Sequence, residues 1–119
     1  EVERQLATQP LRRLTPATVT NPAVLSRELT SVLSQGCAFD NGEAVAEVHC
    51  VAAPIRDEMG VVVAAMSITA PASRFVLAQH EFRRAVIAAA AEVSRALTTP
   101  IPPTLQTEID TLTLHAVAG

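Results

Sequence analysis

The sequence predicts a small α+β domain in which an antiparallel β-hairpin is flanked by helices. The hairpin occupies residues 43–69, where two runs rich in Val, Ala and Ile are joined by the polar break Arg56–Gly60. Runs of high β-propensity on either side of a short turn that ends in glycine are typical of two paired strands. We therefore expect strands over Val45–Arg56 and Val61–Thr69, with Gly60 in a left-handed conformation.

The helix before the hairpin carries clear signals at both ends. Asn21 suits the N-cap, Pro22 suits the first helical position, and Gly36 suits the residue that ends a helix. Between them the residues Val24, Leu25, Leu29, Val32 and Leu33 recur at helical spacing. The pattern predicts a helix over Pro22–Gln35 whose apolar stripe packs on the sheet.

A longer helix is predicted after the hairpin, over Arg74–Leu97, with Ser73 as its N-cap. Its predicted apolar face comprises Ala78, Phe82, Ala85, Val86, Ala89, Val93, Ala96 and Leu97. Two shorter elements are also expected, a helix within Glu1–Gln9 and an edge strand over Cys37–Phe39. The complete pattern is that of one sheet with helices on its flanks.

Composition limits the classes of function. The chain has 119 residues with a net charge of −3, and its 49% hydrophobic content can supply the core of one domain. Aromatic residues make up 3%, Trp and Tyr are absent, and no basic stripe occurs, so this segment alone is a poor nucleic-acid binder. No uncharged apolar run reaches membrane-spanning length. Cys37 and Cys50 are too few for a disulfide framework, which indicates reduced thiols.

No motif of a known catalytic centre is present. The chain lacks HExxH, GxSxG, a P-loop and GxGxxG. A dyad of His49 and Cys50 is excluded because adjacent residues on a strand point to opposite faces. Cys37 and Cys50 also lack the spacing of a metal site. We therefore predict no enzymatic activity, no metal and no cofactor.

Strand alternation gathers one polar cluster. It places Cys50, Ser67 and Thr69 on one face, with Cys50 opposite Ser67 in the register that we expect. The ordinary interpretation is a strand end whose hydroxyls bind backbone groups, beside a buried cysteine. The alternative is a site for a small acid, because the positive end of the following helix begins close to Thr69. Asp40 would then accept a hydrogen bond from a ligand hydroxyl or orient its neighbours.

Three segments resemble the C-terminal effector-binding domain of IclR-type transcription regulators. They are GCAFDNGE at residues 36–43, CVAAPIRD at 50–57 and GVVVAAMSITAPASR at 60–74. The AAP and SIT motifs fall at the family's spacing from the cysteine, and the similarity extends over about Leu11–Leu97. The resemblance implies a GAF-like fold, an antiparallel sheet flanked by helices with a small-molecule pocket on one face. It also implies that residues 1–97 are a partial domain whose N-terminal strands are absent from this chain. The Pro- and Thr-rich residues 98–119 would be a tail.

The resemblance also implies residues and partners. Asp40, Cys50, Ser67 and Thr69 match the family's effector-binding positions. Effectors in that family are typically small organic acids or aromatic-catabolism metabolites, and DNA is bound through a helix-turn-helix domain absent from this chain. The expected protein is a cytoplasmic homodimer or homotetramer. Two alternatives stay open: a dimerisation remnant without a competent pocket, and a small enzyme of GAF-like shape.

Overall fold

A computed structural model describes residues 2–99 as one three-stranded antiparallel sheet with three helices. The helices are α1 (Val2–Thr8), α2 (Pro22–Gln35) and α3 (Ala72–Thr98), and the strands are β1 (Ala38–Asn41), β2 (Val48–Arg56) and β3 (Val62–Pro71). The strand order is β1-β2-β3, which confirms the predicted α+β class. The sequence also predicts one or two helical turns near Thr104–Leu112, a segment that lies outside the described residues. The division at residue 97 into domain and tail stays a prediction.

The bounds of α2 agree with its sequence signals. The Asn21 Oδ1 atom accepts a hydrogen bond from the Ala23 amide at 2.9 Å, and Gly36 ends the helix with φ of 72°. The expected packing of α2 on the sheet is wrong, however, because none of its residues is buried and Leu33 is 80% exposed. Its C-terminal half instead lies against the β1 side of the sheet, where it lines two clefts.

The hairpin forms as predicted, but its register differs. The Asp57 Oδ1 atom accepts hydrogen bonds from the amides of Met59 and Val61, both at 2.9 Å, and Gly60 has φ of 77°. Cys50 pairs with Thr69, not with Ser67 as predicted. The turn holds one residue more than expected, and a β-bulge lies beside it at Ile55/Arg56. Together they move the pairing of β2 with β3 by two residues. A shift of two keeps Cys50, Ser67 and Thr69 together on their predicted face.

One face of the sheet packs against α3 and forms the core. Val51, Ala53 and Ile55 of β2 are buried there against Phe75, Val86 and Ala90 of α3. Phe75 is fully buried, with its ring centroid 6.4 Å from that of Phe39, 5.8 Å from that of His49 and 5.6 Å from that of Phe82. The face that carries Cys50 is the other one, and α3 does not cover it.

The predicted N-cap of α3 at Ser73 is also wrong. The helix starts at Ala72, directly after β3, and Pro71 occupies the N-cap position without a side-chain hydrogen bond. The Ala72 amide instead donates to the Glu47 carbonyl at 2.9 Å. The strand therefore runs straight into the helix, which leaves no position for a capping side chain.

Candidate functional site

The uncovered face of the sheet carries a row of polar side chains. Asp40 of β1 pairs with Cys50 of β2, which in turn pairs with Thr69 of β3. Directly paired residues share a face, and neighbouring strands lie about 4.8 Å apart, so the row crosses the sheet over roughly 10 Å. Ser67 lies two residues before Thr69 on the same strand and face. The structure therefore brings all four predicted site residues onto one surface, which we call the open face.

The hydroxyl groups on the open face are available to a ligand. Ser67 and Thr69 are exposed, and neither side chain has a hydrogen-bond partner within residues 2–99. Cys50 is a free, half-buried thiol. The ordinary interpretation, in which the hydroxyls bind nearby backbone groups, does not hold in the part of the chain that the structure describes. Two donors and a thiol thus face outward together.

Asp40 has a structural role beside its place in the row. Its Oδ1 atom accepts a hydrogen bond from the Glu43 amide at 2.7 Å, which fixes the chain as it leaves β1. Its other carboxylate oxygen has no hydrogen-bond partner within the described range. That oxygen is free to accept a hydrogen bond from a ligand hydroxyl.

A distant loop holds the same turn in place. The buried Thr15 hydroxyl donates to the Gly42 carbonyl at 2.6 Å, and the Thr18 hydroxyl donates to the Glu43 carbonyl at 2.6 Å. These bonds connect segments 27 and 25 residues apart. The Thr- and Pro-rich sequence of Leu11–Thr20 predicts only a loop or an extended segment. The structure shows that it positions the turn directly after Asp40.

An apolar cleft of about 250 Å³ adjoins the polar row. Its walls come from the end of α2 and from the sheet, and include Val32, Leu33, Ala38, Ala52, Pro54 and Ala65. Ala52 pairs with Ser67, so the cleft begins beside a free hydroxyl. The sequence pattern did not indicate the wall from α2. The small side chains of the Ala52-Ala53-Pro54 motif are the signal that could have indicated open space beside the sheet. Small-molecule sites usually measure about 300–1,000 Å³, so this cleft suits a small ligand.

The positive end of α3 contributes less than the sequence suggested. The first amide of the helix, from Ala72, already donates to Glu47. The amides of Ser73 and Arg74 remain in the first turn, where no intrahelical partner four residues back is available. The start of α3 therefore keeps two amides and a partial positive charge at the end of β3.

A second, smaller cleft of about 160 Å³ lies between α2 and β1, and Glu28 and Glu43 both line it. Burial raises the pKa of Glu43 above its usual value, and the negative charges of Asp40 and Glu28 raise it further. A backbone hydrogen bond at Asn41 acts in the opposite direction. The folded chain therefore disfavours ionised Glu43 beside the turn that holds Asp40.

Replacement of Glu43 by glutamine is expected to raise the melting temperature at pH 7. A carboxyl whose pKa is raised by folding contributes most stability below its unfolded pKa of about 4.3, and that stability is lost as pH rises through the folded pKa. The gain from Glu43→Gln should therefore shrink as the pH is lowered toward 4. Melts over this pH range measure it, with Glu58→Gln in the exposed β2–β3 turn as the control for net charge. An equal gain in both variants would contradict the prediction.

Comparisons with known proteins identify the class first. BhcR from Paracoccus denitrificans, an HTH-type transcriptional regulator, is 37% identical over 95 residues, which is 79% of this chain and 34% of BhcR. The HTH-type transcriptional repressor AllR from Salmonella typhimurium is 44% identical over 64 residues, 54% of this chain and 24% of AllR. The chain thus spans about a third or less of these curated relatives. Both relatives are named as transcriptional regulators.

Solved structures and a family model identify the family. The C-terminal domain of Escherichia coli KdgR superposes with a TM-score of 0.73 at 31% identity, covering 82% of this chain and 60% of that chain. The IclR of Thermotoga maritima gives a TM-score of 0.71 at 38% identity, covering 82% and 40%. Residues 1–95 match the family described as bacterial transcriptional regulator IclR C-terminal. The chain belongs to this family, which confirms the resemblance seen in the sequence.

Two features of residues 2–99 bear on possible partners. None of the described helices combines the length and the apolar character needed to cross a bilayer. No group of three or more His, Cys, Asp or Glu side chains in the same range could hold a metal ion. The polar row of the open face offers ligand-binding groups beside an apolar cleft.

Proposed function

We propose that this chain is the effector-binding part of a bacterial DNA-binding transcription regulator, and that its open face binds a small organic acid. The observation that carries the proposal is the row of Asp40, Cys50 and Thr69 across three strands, with Ser67 beside it and an apolar cleft next to Ser67. A polar row beside an apolar cleft is the usual composition of a small-molecule site. Family membership supports the same function.

The charges of the site favour an acid that also carries a hydroxyl group. The hydroxyls of Ser67 and Thr69 can donate to a carboxylate, and the start of α3 adds a partial positive charge. Asp40 repels a bare anion but accepts a hydrogen bond from a ligand hydroxyl. The apolar cleft then takes the hydrocarbon part of the ligand. Hydroxylated aliphatic and aromatic acids both meet these requirements.

Regulation would follow from differential affinity. An effector that binds one arrangement of the domain more tightly shifts the population toward that arrangement. In a homodimer or homotetramer attached to helix-turn-helix domains, that shift would change the affinity for DNA by the same coupling free energy. We place this regulator in the cytoplasm, where DNA and metabolites meet. DNA contacts would come from the attached domains, in keeping with the net charge of −3.

A dye-reported thermal melt of the full chain tests the proposal, because the chain has no Trp to serve as a probe. Lactate is compared with propionate, which lacks the hydroxyl, and with lactamide, which lacks the charge. The pair 4-hydroxybenzoate and benzoate extends the test to aromatic acids. We expect the melting temperature to rise with the concentration of a hydroxy acid, by more than with its matched analogues.

Substitutions then locate the bound acid. Ser67→Ala removes a donor to a charged group, worth about 1.5–3 kcal/mol, so the hydroxy acid should bind roughly 10–100-fold more weakly. Cys50→Ala in the same row should also weaken binding. Ser34→Ala is the matched control, because Ser34 is exposed on α2 and donates to the Ser31 carbonyl. A melting temperature that no acid raises would instead favour a dimerisation domain without a competent pocket. Turnover of a bound acid that Cys50→Ala abolishes would favour an enzyme.

A further inference from the structure

The outward side of α3 presents a stripe of small and charged residues, which we call the α3 stripe. It comprises Glu81, Arg84, Ala85, Ala88, Ala91, Glu92 and Arg95. At 100° per residue all of these lie within about 60° of the direction of Ala88, on the side of the helix away from Phe75, Val86 and Ala90. Every member is exposed. The stripe therefore faces away from the sheet and from the open face.

The four charged side chains of the stripe make no hydrogen bond or ion pair within residues 2–99. Glu81 with Arg84 and Glu92 with Arg95 have the spacing of intrahelical ion pairs. Neither pair forms, and none of the four side chains has a hydrogen-bond or ionic partner in the described residues. Between them, Ala85 and Ala88 leave a shallow hollow of about 420 Å³ bounded by Glu81 and Arg84. The surface thus combines free charges of both signs with room for close approach.

Along the α3 stripe the charged residues follow the order acid, base, acid, base, so the reversed order has the opposite charge at every position. Glu81 lies seven residues before Ala88 and Arg95 seven residues after it. Arg84 lies four residues before Ala88 and Glu92 four residues after it. A second α3 packed antiparallel about a two-fold axis at Ala88 would therefore place each acid opposite a base. Self-complementarity of this kind is what a two-fold interface requires.

We propose that the α3 stripe is a self-association surface, on which a second copy of this chain packs antiparallel with its two-fold axis at Ala88. Alanine at the crossing point allows helix axes to approach within about 8 Å. Glu81 then pairs with Arg95 of the other copy, and Arg84 pairs with Glu92 of the other copy. This surface deepens the oligomeric part of the proposed function. It lies on the opposite side of the sheet from the effector site, so the two proposals can fail separately.

The first test is a charge reversal followed by a swap, measured as dimer dissociation by analytical ultracentrifugation of the full chain. Arg84→Glu places like charges opposite each other twice in the dimer. The dissociation constant of the dimer should therefore rise by about tenfold or more. The double variant Arg84→Glu/Glu92→Arg restores opposite charges and should restore the dimer. Arg27→Glu, on exposed α2, makes the same change in net charge and should leave the dimer intact. Added salt should weaken the wild-type dimer.

A second test does not depend on charge. A cysteine at the two-fold axis meets its own copy, so Ala88→Cys should form a symmetric disulfide dimer under mild oxidation, whereas Ala17→Cys in the exposed loop should not. The wild type, with Cys37 and Cys50, sets the background. The proposal is overturned by a chain that is monomeric at all concentrations, by a dimer indifferent to Arg84→Glu, or by a double variant that is not restored. Arg84→Glu should retain any ligand-induced rise in melting temperature, which separates this outcome from loss of the effector site.

Discussion

Replacement of Phe75 by alanine is expected to lower the free energy of unfolding by about 3–5 kcal/mol. Phe75 is fully buried near the start of α3, where its ring contacts those of Phe39, His49 and Phe82. Those partners come from β1, β2 and α3, so one side chain joins two of the three strands of the polar row to the helix behind them. The cavity left by the ring cannot be filled without movement of the sheet. Chemical denaturation followed by circular dichroism measures the loss.

Leu77→Ala is the matched control for Phe75→Ala. Leu77 lies two residues further along the same helix but is 88% exposed, so its loss should cost less than about 0.5 kcal/mol. Similar losses in both variants would mean that α3 is not packed on the sheet through Phe75. The ratio between the two effects therefore tests the orientation of the helix that covers the core face.

Local signals explain why the helices and the turn could be predicted from the sequence. The bounds of α2 follow from Asn21, Pro22 and Gly36, each of which acts through its own backbone or an immediate neighbour. The left-handed Gly60 is equally local, because it depends on a turn of a few residues. Such features need no knowledge of the distant parts of the chain, so the sequence is sufficient for them.

Long-range packing explains what could not be predicted. Phe75 was absent from the predicted apolar face of α3, whereas Ala85 and Leu97, which were included, are exposed. The crossing of α3 over β2 decides which helix residues are buried. The periodicity of the sequence cannot show where the helix axis lies relative to the sheet. The wrong prediction that α2 packs its apolar stripe on the sheet has the same cause.

Part of the candidate site could be predicted because it depends on which side chains share a face of a strand, and that follows from the alternation of residues along the strand. A β2–β3 register that moved by two residues kept Cys50, Ser67 and Thr69 on one face, whereas a move of one would have separated Cys50 from the hydroxyls. Asp40 joins them through the β1–β2 pairing, which strand alternation in the hairpin did not predict. The α2 wall of the cleft and the Thr15 bond to Gly42 connect segments far apart in sequence. No local pattern encodes such contacts.

Replacement of Gly42 by alanine is expected to lower the free energy of unfolding by about 2–5 kcal/mol. Gly42 has φ of 81°, and the left-handed conformation costs a residue with a Cβ about 1–2 kcal/mol. A Cβ at this position would also lie 2.6 Å from the Ala46 carbonyl oxygen, a backbone atom that cannot rotate away. Relief of such a clash requires movement of the turn and costs about 1–3 kcal/mol more. Denaturant unfolding of Gly42→Ala measures the total.

Gly60→Ala separates the two causes, because Gly60 has φ of 77° but open space around its Cβ position. Its cost should be the conformational part alone, about 1–2 kcal/mol. Equal costs for the two variants would show that the turn at Gly42 yields without strain. The Gly42 turn also places Asp40 and receives the Thr15 hydroxyl bond. Gly42→Ala should therefore weaken binding of a hydroxy acid, and Gly60→Ala should not, since it lies at the opposite end of β2 from Cys50 and Asp40.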